Sequence, residues 1–168
     1  MSDVRDSISV VRPAEPVVFR ILWGAVILFV VAGFVGFILH MGKSKAKGDA
    51  TLSTGTKSWT MHVNACTSGE RRQFFGVTFF DENQPQSGGR LILPVDREAS
   101  LGMNRPDKNY SVVFKRSDCS LWDVTVDHTN STYNGIWAVE GHARFDCTVP
   151  DTDTTLHATG DLQFDSCH

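Results

Sequence analysis

A run of 21 residues from Ile21 to Met41, ILWGAVILFVVAGFVGFILHM, carries no charged side chain, and no other stretch restricts the architecture of the chain as much. A helix rises about 1.5 Å per residue, so a run of this length matches the roughly 30 Å hydrocarbon core of a bilayer. Arg20 bounds it on one side and Lys43, Lys45 and Lys47 on the other, while Trp23 and His40 stand where amphipathic rings favour the headgroup level. A cleavable signal peptide has a shorter apolar region, about 7–15 residues, followed by an A-x-A-like site, and neither is present. No cysteine precedes Cys66, which removes a lipidated cysteine near the run as the means of attachment. The sequence predicts an N-terminal tail over residues 1–20, a transmembrane helix over 21–41, a linker over 42–57 and one domain over 58–168. The lipid bilayer is thus one expected partner, met through Ile21 to Met41. Ala32, Gly33 and Gly36 form a small-x-x-x-small pattern that would admit a second helix closely, although such residues are frequent in membrane helices regardless of pairing.

Charge does not orient this helix. Arg5, Arg12 and Arg20 on one flank balance Lys43, Lys45 and Lys47 on the other under the positive-inside rule. Cysteine usage does give a direction. Cys66, Cys119, Cys147 and Cys167 are an even number in one small domain without a C-x-x-C pair, which is disulfide spacing for an oxidising compartment. The expectation is a single-pass protein with its domain periplasmic or extracellular, a cytoplasmic domain being the alternative.

From Ala50 to His168 there are 10 Lys or Arg against 15 Asp or Glu, and from Asp118 onward Arg144 alone faces nine carboxylates. Such a balance gives no electrostatic footprint for nucleic acid or an anionic surface. Nucleic acid is excluded as a partner on this ground.

Short β-type runs recur after the linker: Trp59 to Ala65, Phe74 to Phe80, Arg90 to Val95, Tyr110 to Arg116, Leu121 to His128, Ile136 to Phe145 and Leu156 to Phe164. Trp59, Met61 and Val63 alternate with polar neighbours, as do Tyr110, Val112 and Phe114, and Trp122, Val124 and Val126, which is the period of a half-buried strand. Turn chemistry at Gly88-Gly89, Asn104 to Asp107, Asn134-Gly135 and Pro150-Asp151 separates the runs. An all-β domain of about seven strands follows, an antiparallel β-sandwich or a partly open barrel.

The segments GHARFDC (Gly141 to Cys147) and GDLQFDSC (Gly160 to Cys167) echo one another at the two closing strands. Their arrangement is similar to that of small disulfide-bearing bacterial envelope domains, over less than a third of the chain, and the similarity implies no activity. Phe145 and Cys147 share a face of a flat strand whereas Phe164 and Cys167 do not, so a bulge is expected near Asp165-Ser166 if Cys167 is to reach the core. Strand parity ranks Cys66–Cys119 and Cys147–Cys167 first among the three connectivities open to four cysteines.

No G-x-S-x-G, phosphate-binding G-x-x-x-x-G-K-[ST], H-E-x-x-H or dinucleotide fingerprint is present, so no catalytic residue and no cofactor is predicted. His62 and Cys66 stand ~13 Å apart on a strand, too far to share a metal. Asp151-Thr152-Asp153 lacks the full calcium-loop pattern and reads as an acidic hairpin tip. His128, His142, His157 and His168 lack the spacing of a metal site and read as surface residues. Asn109-Tyr-Ser and Asn130-Ser-Thr have the form of glycosylation acceptors. Phe74, Phe75, Phe79 and Phe80 place Phe on both faces of one strand, where a half-buried strand would alternate. Either the loop from Pro94 to Asn109 covers the second face, or a partner protein, an apolar ligand or the bilayer surface docks there. With an anchor and no catalytic constellation, the expected function is a non-catalytic binding or accessory subunit of a membrane or envelope protein complex. A membrane-tethered ligand carrier or enzyme is the alternative.

Overall fold

The computed structural model describes residues 44–168 apart from Asn109 and Asp153. The tail, the apolar run Ile21 to Met41 and its Ala32, Gly33 and Gly36 lie outside the described residues. Among those described, no helix is long and apolar enough to cross a membrane.

Ten strands make two antiparallel sheets of five. They are β1 (Lys45–Ser53), β2 (Ser58–Val63), β3 (Ala65–Ser68), β4 (Gly76–Asp81), β5 (Gln84–Ile92), β6 (Ser100–Asn104), β7 (Ser111–Lys115), β8 (Cys119–Tyr133), β9 (Ile136–Pro150) and β10 (Thr155–Cys167). The first sheet runs β2-β1-β10-β9-β8 and the second β3-β4-β5-β6-β7. Within each sheet, strands consecutive in the chain lie side by side, and β10 pairs with β1 to complete the first sheet. The chain passes between sheets at two tight corners. At one, Asn64 alone separates β2 from β3; its N–H donates to the Phe80 carbonyl and its side chain bonds Asp81 and the Glu82 N–H. At the other, a 3-10 turn over Arg116–Asp118 links β7 to β8.

The sandwich interior is built by alternation. Met61, Ala50, Gly160, Phe145 and Trp122 form one inward row straight across the first sheet. The Phe145 ring lies over Gly160, where a Cβ would stand 2.4 Å from the ring. One residue along, His62, Asp49, Asp161, Arg144 and Asp123 form the matching outward row, and all five are solvent-facing. Phe79, Leu91, Leu101 and Phe114 supply the second sheet's share of the core and are fully buried.

The β-sandwich expected from alternation is present, with three more strands than the sequence reading gave. The predicted linker contains β1, whose inward residues are the small Ala46 and Ala50 followed by Leu52. The loop from Pro94 to Asn109 contains β6, and the Gly88-Gly89 pair lies within β5 rather than at a turn.

The disulfides correct the predicted connectivity. Cys66 pairs with Cys167, joining β3 of one sheet to β10 of the other, and Cys119 pairs with Cys147 between β8 and β9. Parity counted from Trp59 failed at Cys66 because the corner at Asn64 resets the alternation, and Cys66 is buried. Cys147 stands opposite Ala158 while Cys167 stands opposite Val139, so those two cysteines sit far apart along the same hairpin. The bulge itself is where it was expected: the register shifts between Phe164 and Cys167, with Ser166 at φ 52°.

Candidate functional site

The strand β3 ends in a 3-10 turn, Gly69–Arg72, that sets the next features. Ser68 caps it by accepting from the Glu70 N–H, and Gln73 closes it in the left-handed region at φ 64°. Gly69 is required because the Phe74 ring packs where its Cβ would be. The Glu70 carboxylate reaches across to the first sheet, pairing with His128 Nε2 at 2.7 Å and accepting from the Trp137 N–H at 3.0 Å. The turn is thereby held against β8 and β9.

Arg71 and Arg72 follow, and they enter a groove of about 570 Å³ on the outer face of the second sheet. Thr67, Thr78, Arg90, Gly102 and Val113 form a row straight across that face, one residue from each strand. Arg90 lies along Gly102, where a Cβ would already be 3.3 Å from its Cγ. Phe80 and Asn104 complete the walls. Among the described residues, Arg71, Arg72 and Arg90 have no carboxylate within ion-pair distance, whereas Arg105 and Arg144 do. Beside Arg90 in this row, the Thr78 hydroxyl is shut away from solvent and has no hydrogen-bond partner among the described residues. A second groove of about 580 Å³, reaching Tyr133, Asn134 and His168, shares Thr67, Arg71 and Phe80 with the first.

The structure places the four Phe residues of the expected docking face in different surroundings. Phe79 is fully buried in the core, and β4 begins only at Gly76, after Phe74 and Phe75. Phe75 packs on the core and stacks edgewise on His128, with 5.1 Å between ring centroids. Phe80 lines the arginine groove. All four cysteines are bonded, so none is a nucleophile or a metal ligand. His62 pairs with Asp49, His142 with Asp123, His157 with Asp146 and His128 with Glu70, which distributes the histidines over the surface. No group of three or more His, Cys, Asp or Glu among the described residues is arranged to hold a metal. Asp151 instead receives Arg105 at 2.6 Å.

Arg105, buried at 7% exposure, joins the loop between β6 and β7 to the turn between β9 and β10. Bonds to Asp107 and Asp151 raise its pKa further above an already basic value. Burial alone would raise the Asp107 carboxyl, but the bond from Arg105 and the charges of Arg105 and Lys57 bring it below its ordinary 3.8. The Arg105 bond likewise lowers Asp151. This knot is structural, and its guanidinium is already engaged.

The chain matches no protein-family model, no curated protein and no solved structure.

The sequence reading missed the arginine groove because the domain's acidic total conceals it. Of the 10 basic residues after Asp49, nine precede Asp118, against six carboxylates in that part. Counting by segment, together with the outward parity of Arg90 beside Thr78, would have indicated it.

Proposed function

We propose that the protein is a membrane-anchored, non-catalytic binding module, an accessory subunit of a membrane or envelope protein complex. Ile21 to Met41 would hold it to the bilayer, with the β domain periplasmic or extracellular. Two disulfides in a domain of this size support an oxidising compartment. The observation that carries the reading is the groove itself. Three arginines without carboxylate partners among the described residues share one concavity on a sheet, in a domain that is acidic elsewhere. Arg is the side chain that combines binding energy with directional recognition of anions, and unpaired guanidinia in a cleft supply a field that attracts them. The site offers no nucleophile with an adjacent base, so binding rather than turnover is the chemistry it supports.

The test is purification of the full chain from its native membrane in mild detergent, with identification of co-purifying proteins. A defined partner set that is lost in the Arg71→Gln, Arg72→Gln, Arg90→Gln triple variant is expected. An unchanged set with the triple variant still folded would remove the groove as the engaging surface, and the absence of any partner would overturn the accessory-subunit reading.

A further inference from the structure

We infer that the groove on the second sheet is a phosphate site, taking a small ligand that bears a phosphomonoester or diphosphate group. The inference rests on the reading of this groove as the engaging surface and adds the chemistry of what it engages.

Charge count argues first. A single carboxylate brings one negative charge to three guanidinia, whereas a phosphomonoester brings close to two near neutral pH and a diphosphate more. Donor geometry argues second. Arg90 and Thr67 flank Thr78 directly across the sheet, so a guanidinium and two hydroxyls stand side by side on backbone fixed by strand pairing. A tetrahedral oxyanion presents several acceptor oxygens in different directions, and Arg71 and Arg72 approach the same concavity from the turn.

The Thr78 hydroxyl is the third argument. A buried hydroxyl without a partner is a cost that folded proteins ordinarily avoid. Arg90 stands between Thr78 and Gly102 across the sheet, and its side chain lies along Gly102. An anion seated in the groove beside the Arg90 guanidinium would offer the Thr78 hydroxyl an acceptor. A donor left unpartnered by the fold itself would thereby be satisfied by the ligand. Phe80 gives the groove an apolar wall against which the carbon skeleton of an ester can lie.

The experiment uses the full chain in phosphatidylcholine nanodiscs, titrated calorimetrically with pyrophosphate and with glycerol phosphate. One saturable site per chain is expected, weakened tenfold or more by Arg90→Gln and by Thr78→Val. The latter keeps the side-chain shape and removes only the orphaned hydroxyl, so loss of folding does not confuse the result. Arg144→Gln on the other sheet should leave binding unchanged. Nanodiscs containing phosphatidic acid separate two sources of the same chemistry. Competition by that lipid with pyrophosphate, abolished by Arg90→Gln, supports the site and assigns a headgroup; binding of soluble glycerol phosphate without such competition supports the site and assigns a free ester. No saturable phosphate binding, or equal loss in Arg144→Gln, would overturn the inference. So would equal affinity for a carboxylate-only acidic peptide, which would leave the accessory-subunit reading standing with a protein partner in the groove.

Discussion

Removing Cys66–Cys167 should cost the domain more than removing Cys119–Cys147, and the topology gives the size of the difference. The first bond closes 101 residues of sequence and the second 28. In the chain-entropy description the shorter loop contributes about 3.6 kcal/mol. The longer loop encloses the shorter, which shortens its free path, and it then contributes about 4.5 kcal/mol. The Cys119–Cys147 link also ties residues that stand opposite each other in a hairpin, whereas Cys66–Cys167 ties one sheet to the other. The two double Cys→Ala variants should therefore differ by about 1 kcal/mol or more, with Cys66/Cys167 the weaker protein. For a domain of this size that corresponds to about 3–5 °C in Tm. Urea unfolding of the full chain in detergent, followed by tryptophan fluorescence, gives both values. Equal costs, or the reverse order, would refute the loop argument. Unreduced peptides showing Cys66–Cys119 would refute the topology beneath it.

Gly160→Ala should destabilise by about 1–3 kcal/mol, because the new methyl enters the Phe145 ring; Phe145→Leu in the same chain should recover part of that loss, and strict additivity of the two would show that they do not meet. Arg105→Gln should make stability less sensitive to acid. Asp107 and Asp151 are held below their ordinary 3.8, so their contribution is complete above that value and disappears as pH falls through the lowered folded values. The urea midpoints of wild type and variant should converge below about pH 4, and parallel profiles down to pH 2 would count against the pairing.

Much of this fold could be read from period-two alternation, and what escaped did so for physical reasons. Alternation in Trp59 to Val63, Tyr110 to Phe114 and Trp122 to Val126 reported strands because their inward residues are large. The strand β1 alternates too, apart from an exposed Gly48, with Ala46, Ala50 and Leu52 inward, but alanine carries little hydrophobic signal between Lys45, Lys47 and Asp49. In β6 the outward position is Gly102, kept bare along Arg90, so Leu101-Gly102-Met103 resembled a loop. Phe74 and Phe75 imitated strand residues while belonging to the turn before β4, where one covers Gly69 and the other packs beside His128. The disulfides needed hairpin arithmetic in place of parity. The Asn134-Gly135 turn is legible in the sequence, but folding the chain back on it alone sets Cys119 opposite Pro150, and two register shifts along β8 are what bring it opposite Cys147.

The groove shows how the same topology turns a charge pattern in sequence into one in space. Except at the two corners between the sheets, strands adjacent in the chain are adjacent in a sheet, so a block of like charge in sequence becomes a patch on one sheet. Asp118 to His168 supplies β8, β9 and β10, all in the first sheet, and their single basic residue, Arg144, stands between Asp123 and Asp161. The basic residues of the earlier segment fall largely on the second sheet and the turns around it. There Arg105 is engaged by two aspartates, while Arg71, Arg72 and Arg90 are not. Net charge summed over the domain averages these two surfaces away. The acidic sheet repels the anion that the other sheet attracts, so a ligand approaching this domain is steered toward the groove and away from the face behind it.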